Sequence, residues 1–351
     1  MSFNQYTWDL YKQTTIGIEM IKYFSDAGGY VLFKDYCPYA NFIPEDLYND
    51  WLENIYCYGV SDYDHPSSLE EAKDLYISLI TLGIRVEGQQ WLPANDFKNM
   101  LGIIQPMSYV LSQFAPEYFF PYLFLCRIFE LNKIADFFNI DLPNIPKRTD
   151  YKGRCMYYWE LCEVFYLFRK ENGLSPADLW SFLYDFAPNN LPSEKIDMPK
   201  PSQVWFIGGR LYQEDKSLES KFWQSSPETK KGDILVHYET SPISAITCIE
   251  ISLTDGVIDP LFRYYGCIYI GNRINIPHIT LKELQTDEYF FKHPLVRKNF
   301  QGVNGWSVNS ENYSELLRMI KTKGFDIEVL PKLYAPTLPK DVIIEYEHDV
   351  E

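Results

Sequence analysis

Through the first 187 residues, apolar positions recur at steps of three and four, the spacing of one helix face. Over 44–58 the stripe is Leu47, Trp51, Leu52 and Ile55. A second runs over 68–82, where Ser68 and Glu71 stand at capping-box spacing. Longer aromatic-rich stretches predict helices over 96–114, 116–132 and 151–171. Gly173 then supplies a stop, and Ser175-Pro176 an N-cap with proline at the first helical position, for a last helix to about Phe186. Strand signals in this half are confined to short pieces such as 30–33.

The period changes after residue 201. Four prolines (Pro188, Pro192, Pro199, Pro201) mark 188–201 as an extended connector. Beyond it, short β-branched or aromatic runs at 204–207, 233–238, 244–253 and 267–274 are separated by turn residues such as Thr240-Ser241-Pro242 and Thr254-Asp255-Gly256. Helices are expected over 217–223, behind the Thr280-x-x-Glu283 box, and over 311–322, where Tyr313, Leu316, Leu317 and Ile320 share a face before Gly324. The fold class is therefore α+β. It comprises a helical domain over 1–187, a Pro-rich linker over 188–201, a small sheet or barrel domain over 202–334, and an acidic tail over 335–351 that is a frayed end or an edge strand.

Composition narrows the class. With 46% hydrophobic and 23% charged residues in 351, the chain is not mainly disordered. The start, MSFNQYTWDLYKQ, lacks a basic region followed by an apolar run, and no uncharged apolar stretch reaches the roughly 18 residues of a membrane span. A soluble cytoplasmic protein without a membrane partner is expected, and seven cysteines with no CxxC pair read as reduced thiols. Net charge is −16, which argues against coating nucleic acid by bulk electrostatics. The charge is uneven: 15 basic and 27 acidic residues over 1–199, 16 of each over 200–334, and 1 against 5 over 335–351. The neutral 200–334 stretch is the one with room for a basic face.

Catalytic patterns do not emerge. None of the five histidines (His65, His237, His278, His293, His348) stands three or four residues from another His or Cys, so no metal site is expected. There is no Gly-x-Ser-x-Gly elbow, and Gly208-Gly209 lacks the residues that follow in a phosphate loop. Glu214-Asp215-Lys216 and Glu219-Ser220-Lys221 read as a solvated charged face rather than a nuclease carboxylate set. No catalytic residue, metal or cofactor is assigned. What remains is aromatic density: Trp205-Phe206, Phe222-Trp223, Tyr238, Tyr264-Tyr265 and Trp306 offer flat faces on which bases can stack, or rings that fill a core.

The order Val204-Trp205-Phe206-Ile207, Lys231-Gly232-Asp233 leading into Ile234–Tyr238, Leu281-x-x-Leu284 and Asn299-Phe300-Gln301-Gly302 resembles the EVE domain of the PUA-like superfamily over about 202–334. Ser244-Ala245-Ile246-Thr247-Cys248 departs from the glycines usual there. The resemblance implies a PUA-like barrel that reads nucleic acid, often by taking a modified base into an aromatic pocket, in the setting of modification-dependent restriction or defence. The helical domain resembles no family and is assigned to partner binding or oligomerisation.

On this reading the base-binding candidates are Trp205, Phe206, Trp223, Tyr238 and Trp306 as walls, with Gln301 and Asn304 for the base edge. Arg297, Lys298, Lys230 and Lys231 are the phosphate candidates. The expected partner is nucleic acid with a modified base, DNA rather than RNA. Two other classes stay open: an acidic protein–protein module that uses the barrel as a scaffold, and an enzyme acting on a nucleotide with Asp233 or Glu250 as base. The sharpest expectation is geometric: Trp205, Tyr238 and the 297–302 loop should meet around one concave pocket at the barrel mouth.

Overall fold

Asp150 opens the longest helix, its carboxylate accepting from the Gly153 N–H at 2.8 Å, and the helix runs Tyr151–Glu171 until Gly173 takes the left-handed conformation at φ 63°. It buries Cys155, Tyr158, Trp159, Leu161, Cys162 and Phe165. The structure is a computed structural model that describes residues 3–37, 40–86, 89–192, 198–210 and 220–334. The chain divides into two units: Met1–Glu194 with Ile258–Tyr265, and Lys195–Val257 with Gly266–Glu351. No helix among the described residues is long and apolar enough to cross a membrane.

The first unit is helical, with Gln5–Lys12, Thr15–Asp26, Gly29–Tyr36, Glu45–Ile55, Leu69–Leu82, Ile104–Phe114, Ile128–Phe138 and Pro176–Ser181 beside the long helix. Two sequence expectations fail here. The 30–33 stretch is helical, because Leu32 and Phe33 bury from one helix and Phe33 stacks on Tyr48 with ring centroids 3.8 Å apart. The expected 116–132 helix starts only at Ile128: 119–124 is irregular backbone with buried Phe119, Phe120, Tyr122, Leu123 and Phe124. Pro121 has no N–H to give a helix. Side chains replace the backbone ladder instead: Ser108 Oγ accepts from Tyr122 N–H, Tyr158 OH donates to Phe120 O, and Tyr184 OH donates to Pro121 O. Two short strands without a counterpart among the sequence expectations, β1 (Ile84–Val86) and β2 (Gln89–Leu92), pair antiparallel. The pair follows Gly83 at φ 77°, where a Cβ would lie 2.1 Å from Leu92 O.

The second unit holds a curled mixed sheet that forms a half-barrel, with strands β3 (Val204–Gly209), β4 (Ser220–Gln224), β5 (Ile234–Glu239), β6 (Ala245–Ser252), β7 (Val257–Ile258), β8 (Gly266–Thr280) and β9 (Trp306–Val308). Its order is β4-β8-β6-β5-β3-β9, with β7 beside β8. β3 and β5 are parallel, and the other pairs along this path are antiparallel. The helix expected over 217–223 is corrected to a strand over its described part, since Phe222 and Trp223 pair with Tyr269 and Ile268 of the long β8. On one face Val204, Phe206, Ile234, Val236 and Tyr238 pack under Leu284, Leu295, Leu316 and Ile320 from the covering helices. The other carries Trp205, Ile207, Leu235, Ile268 and Ile270. The 335–351 tail and 193–197 of the linker lie outside the described residues.

Candidate functional site

Asp233 organises the start of the sheet. Almost wholly buried, its carboxylate accepts from Ser202 Oγ (3.0 Å), Gln203 N (3.1 Å), Trp205 Nε1 (2.9 Å) and Lys230 N (2.8 Å). Those four donors occupy the roughly four lone-pair sites of a carboxylate, so Asp233 builds the turn and has no capacity left to act as a base. Gly232 precedes it at φ 92°, where a Cβ would sit 2.5 Å from Pro199 O.

This arrangement removes three candidate walls. Trp205 is buried with its indole N–H tied to Asp233. Strand alternation then sends Trp205 and Tyr238 to opposite faces of the sheet, so the pocket expected between them does not form. Tyr238 is covered by Phe300, stacked at 4.0 Å and 3°, and Phe206 is buried with its ring edge-on to Phe300 at 5.5 Å. That anchoring holds Phe300 at φ 58°. Asn304 is a clip between strand ends: its Oδ1 accepts from Gly208 N–H at 2.8 Å, and its Nδ2 donates to Gln224 Oε1 at 3.2 Å. Trp306 is half-buried against the helical core, while Gln301 is exposed.

The phosphate candidates do not form one patch. Lys230 and Lys231 precede β5, whereas Arg297 and Lys298 lead to Phe300, which stacks at the far end of that strand. The length of β5 separates the two groups, about 17 Å at the usual rise. Lys230, Arg297 and Lys298 are exposed.

A polar cluster that the sequence reading did not assemble lies on the Trp205 face. His237 and Cys248 are paired across β5 and β6, with Glu250 two residues on. His237 Nδ1 lies 3.1 Å from Glu250 Oε2, and Arg273 donates through Nε to Glu250 Oε1 at 2.7 Å. His237 and Glu250 are buried, whereas Arg273 is partly exposed. Burial pushes the Glu250 carboxyl up, but the hydrogen bond to His237 together with the Arg273 cation outweighs it and holds the group below the ordinary carboxylate value. Burial drives the Cys248 thiol up to about 12.

His237, Cys248 and Glu250 bring their ligand atoms within 4.8 Å of one another. The cluster reads as a Glu250–Arg273 ion pair with His237 beside it, because both Glu250 oxygens are engaged and the Arg273 cation adjoins the carboxylate. The half-buried Trp223 ring lies edge-on to His237 at 4.8 Å. Gly209 makes room for it: a Cβ there would stand 2.6 Å from Trp223 Cζ2. His237 Nε2 is buried and has no hydrogen-bond partner among the described residues. Polar letters at alternate positions of two otherwise apolar strands, His237 in 234–238 and Glu250 in 245–251, were the available signal for this cluster.

No family model matches the chain, and no curated protein matches it. Among solved structures it is similar to Rpa0253 from Rhodopseudomonas palustris, at 14% identity over 34% of this chain and 94% of that one, with a TM-score of 0.30. A hypothetical protein from Leishmania major matches at 12% identity over 35% and 98%, TM-score 0.30. Protein Atu2648 from Agrobacterium tumefaciens matches at 17% identity over 34% and 92%, TM-score 0.29.

Proposed function

We propose that the second unit is a non-enzymatic nucleic-acid reader that takes one planar base against Trp223 and reads its edge with His237, held by Glu250 and Arg273. The observation that carries this reading is His237 Nε2, a buried nitrogen without a partner among the described residues, beside a half-buried indole. An unpaired buried polar atom costs about 1–3 kcal/mol, and a ligand that pairs with it recovers that cost. An imidazole offers a donor or an acceptor according to its tautomer, and Glu250 at Nδ1 favours the tautomer whose Nε2 accepts. A base edge carrying an amino or imino N–H is the complementary group. The EVE-type resemblance of 202–334 supports the same class of ligand, and a modified base in DNA is the favoured one. Exposed Lys230, Arg297 and Lys298 serve as backbone contacts in this scheme, in two groups.

The test is titration of the full chain, at one fixed salt concentration, with oligonucleotides carrying unmodified, methylated and hydroxymethylated bases. Trp223→Ala should weaken the preferred oligonucleotide about tenfold or more, the loss of one stacked base at about 1–3 kcal/mol. His237→Phe should erase the preference between bases, and a combined Arg297→Ala and Lys298→Ala change should weaken all sequences alike. If no oligonucleotide binds above bulk competitor, or Trp223→Ala and His237→Phe bind as the parent does, the reading is wrong.

A further inference from the structure

The first unit carries an open groove of about 540 Å³ between the long helix Tyr151–Glu171 and the irregular 143–150 segment. Along the helix, Glu160, Glu163, Val164 and Leu167 follow one another at i, i+3, i+4 and i+7, the spacing of a single helix face. Pro143, Ile145 and Pro146 line the opposite side. Leu167 is 55% exposed and Ile145 48%, so two large aliphatic side chains lie open in one depression. Solitary exposed apolar residues are ordinary, whereas these two converge in one groove beside a polar rim.

The groove is braced from beneath. Buried Arg154 donates through Nη1 to Arg148 O at 3.0 Å and through Nε to Pro260 O at 2.8 Å, and Tyr265 OH donates to Pro146 O. The irregular wall is thus pinned, which lowers the ordering cost of binding.

Charge selects the occupant. The groove is lined by Asp150, Glu160 and Glu163 and by no basic residue. Lys73 reaches Glu163 only at 3.8 Å, and Glu160 has no hydrogen bond or ion pair among the described residues. Burial, with Glu163 beside it, raises the Glu160 carboxyl above its ordinary value against the opposing pull of Lys73, so the acidic wall is only partly neutralised by the chain's own cations. The chain's own residues 335–351 carry five acids and one lysine, and a second copy of the chain brings a net charge of −16, so both are poor electrostatic matches. We propose that this groove binds a short segment of a partner protein in which aliphatic anchors alternate with Lys or Arg. The apolar side chains would sit against Ile145, Val164 and Leu167, and the cations against Glu160 and Glu163. The proposal is independent of base reading by the second unit.

The test uses the full chain and a phage-displayed library of random twelve-residue peptides, followed by affinity measurements with the selected peptides. Selected peptides should combine Leu or Ile with Lys or Arg. Both Glu160→Gln with Glu163→Gln, and Leu167→Ala alone, should weaken them about tenfold, while Glu19→Gln with Glu53→Gln, exposed acids outside the groove, should leave them unchanged. Equal loss from the two Glu→Gln pairs would mean bulk attraction to an acidic protein and would overturn the proposal. So would selected peptides without basic residues, a concentration-dependent dimer abolished by Leu167→Ala, or a rise in peptide affinity on ending the chain at residue 334, each of which gives the groove another occupant.

Discussion

The two units treat buried polar atoms differently. In the first, Trp8, Trp159 and Trp180 bury indole nitrogens, and Tyr48 and Tyr122 bury hydroxyls, without hydrogen-bond partners among the described residues. Each ring removes about 150–250 Å² from water, worth roughly 4–6 kcal/mol at 25 cal/mol per Å², against about 1–3 kcal/mol for the orphaned atom. Packing wins, and the orphan needs no ligand to explain it. In the second unit the corresponding atom is His237 Nε2, on a small polar ring with far less apolar area to offset it. Meanwhile Trp205, the ring that drew attention in the sequence, has its N–H satisfied by Asp233. Aromatic density therefore points to core in both units, and an uncompensated polar atom is the better guide to a site.

Breaking the Asp233 network should give the largest effect. Asp233→Ala leaves Ser202, Gln203, Trp205 and Lys230 donors without their acceptor in a nearly closed environment. A loss of about 3–5 kcal/mol is expected, the range for breaking a buried charged network. Denaturant titration should show the second unit unfolding earlier, with a red-shifted tryptophan emission, while the far-UV helical signal of the first unit persists to its usual midpoint. A variant that unfolds like the parent would mean that Asp233 is dispensable and the contrast between the units is false.

This network also shows what was legible in sequence. The β5 and β6 segments and several helices were readable because period and caps act locally: Ser68, Ser175 and Thr280 all cap as their spacing implies. The fate of Trp205 was not, since its partner lies 28 residues away and only the folded turn brings them together. Alternation did imply that neighbouring side chains face opposite ways, yet placing Trp205 and Tyr238 required the parallel register Trp205↔Leu235 and Gly208↔Tyr238. For 119–124, long-range hydroxyls from Ser108, Tyr158 and Tyr184 satisfy backbone groups that a local reading assigned to a helix. Arg273 was missed for a similar reason: its role depends on β8 lying beside β6.

The ring argument does not apply to every polar orphan of the first unit: among the described residues Ser181 Oγ and the Asp259 carboxylate belong to no ring, and of the two only Asp259 titrates. The Asp259 Oδ1 accepts from Leu261 N–H at 2.9 Å and Phe262 N–H at 3.2 Å, while Oδ2 is buried and unpartnered among the described residues. Burial raises its pKa from 3.8 to about 7, against the pull of those hydrogen bonds and of Arg154. The folded state thus holds a proton that the unfolded chain releases, so the contribution is fully present below pH 3.8 and is lost as pH rises towards 7. Asp259→Asn keeps the acceptor at Oδ1 and abolishes the titration. It should raise stability at pH 8 by about 2–4 kcal/mol, flattening the fall between pH 4 and 7. Melting temperatures of parent and variant across that window check it; parallel curves would show that Asp259 is ionised in the fold without cost.

Gly209→Ala should have the smallest effect on stability and the clearest bearing on whether Trp223 belongs to core or site. The added methyl would meet Trp223 Cζ2 at 2.6 Å, too close for real contacts, so either the backbone or the indole must give way. Because Trp223 is half-buried and at the margin of the Trp205 cluster, its ring can move outward at about 1 kcal/mol, the low end of overpacking costs. A ring that moves away from His237 carries the base-stacking surface with it, so oligonucleotide affinity should drop several-fold while the melting midpoint shifts by only a few degrees. The reverse pattern, a large midpoint shift with affinity unchanged, would assign Trp223 to the core alongside Trp205, leaving His237 an orphan of packing like those of the first unit.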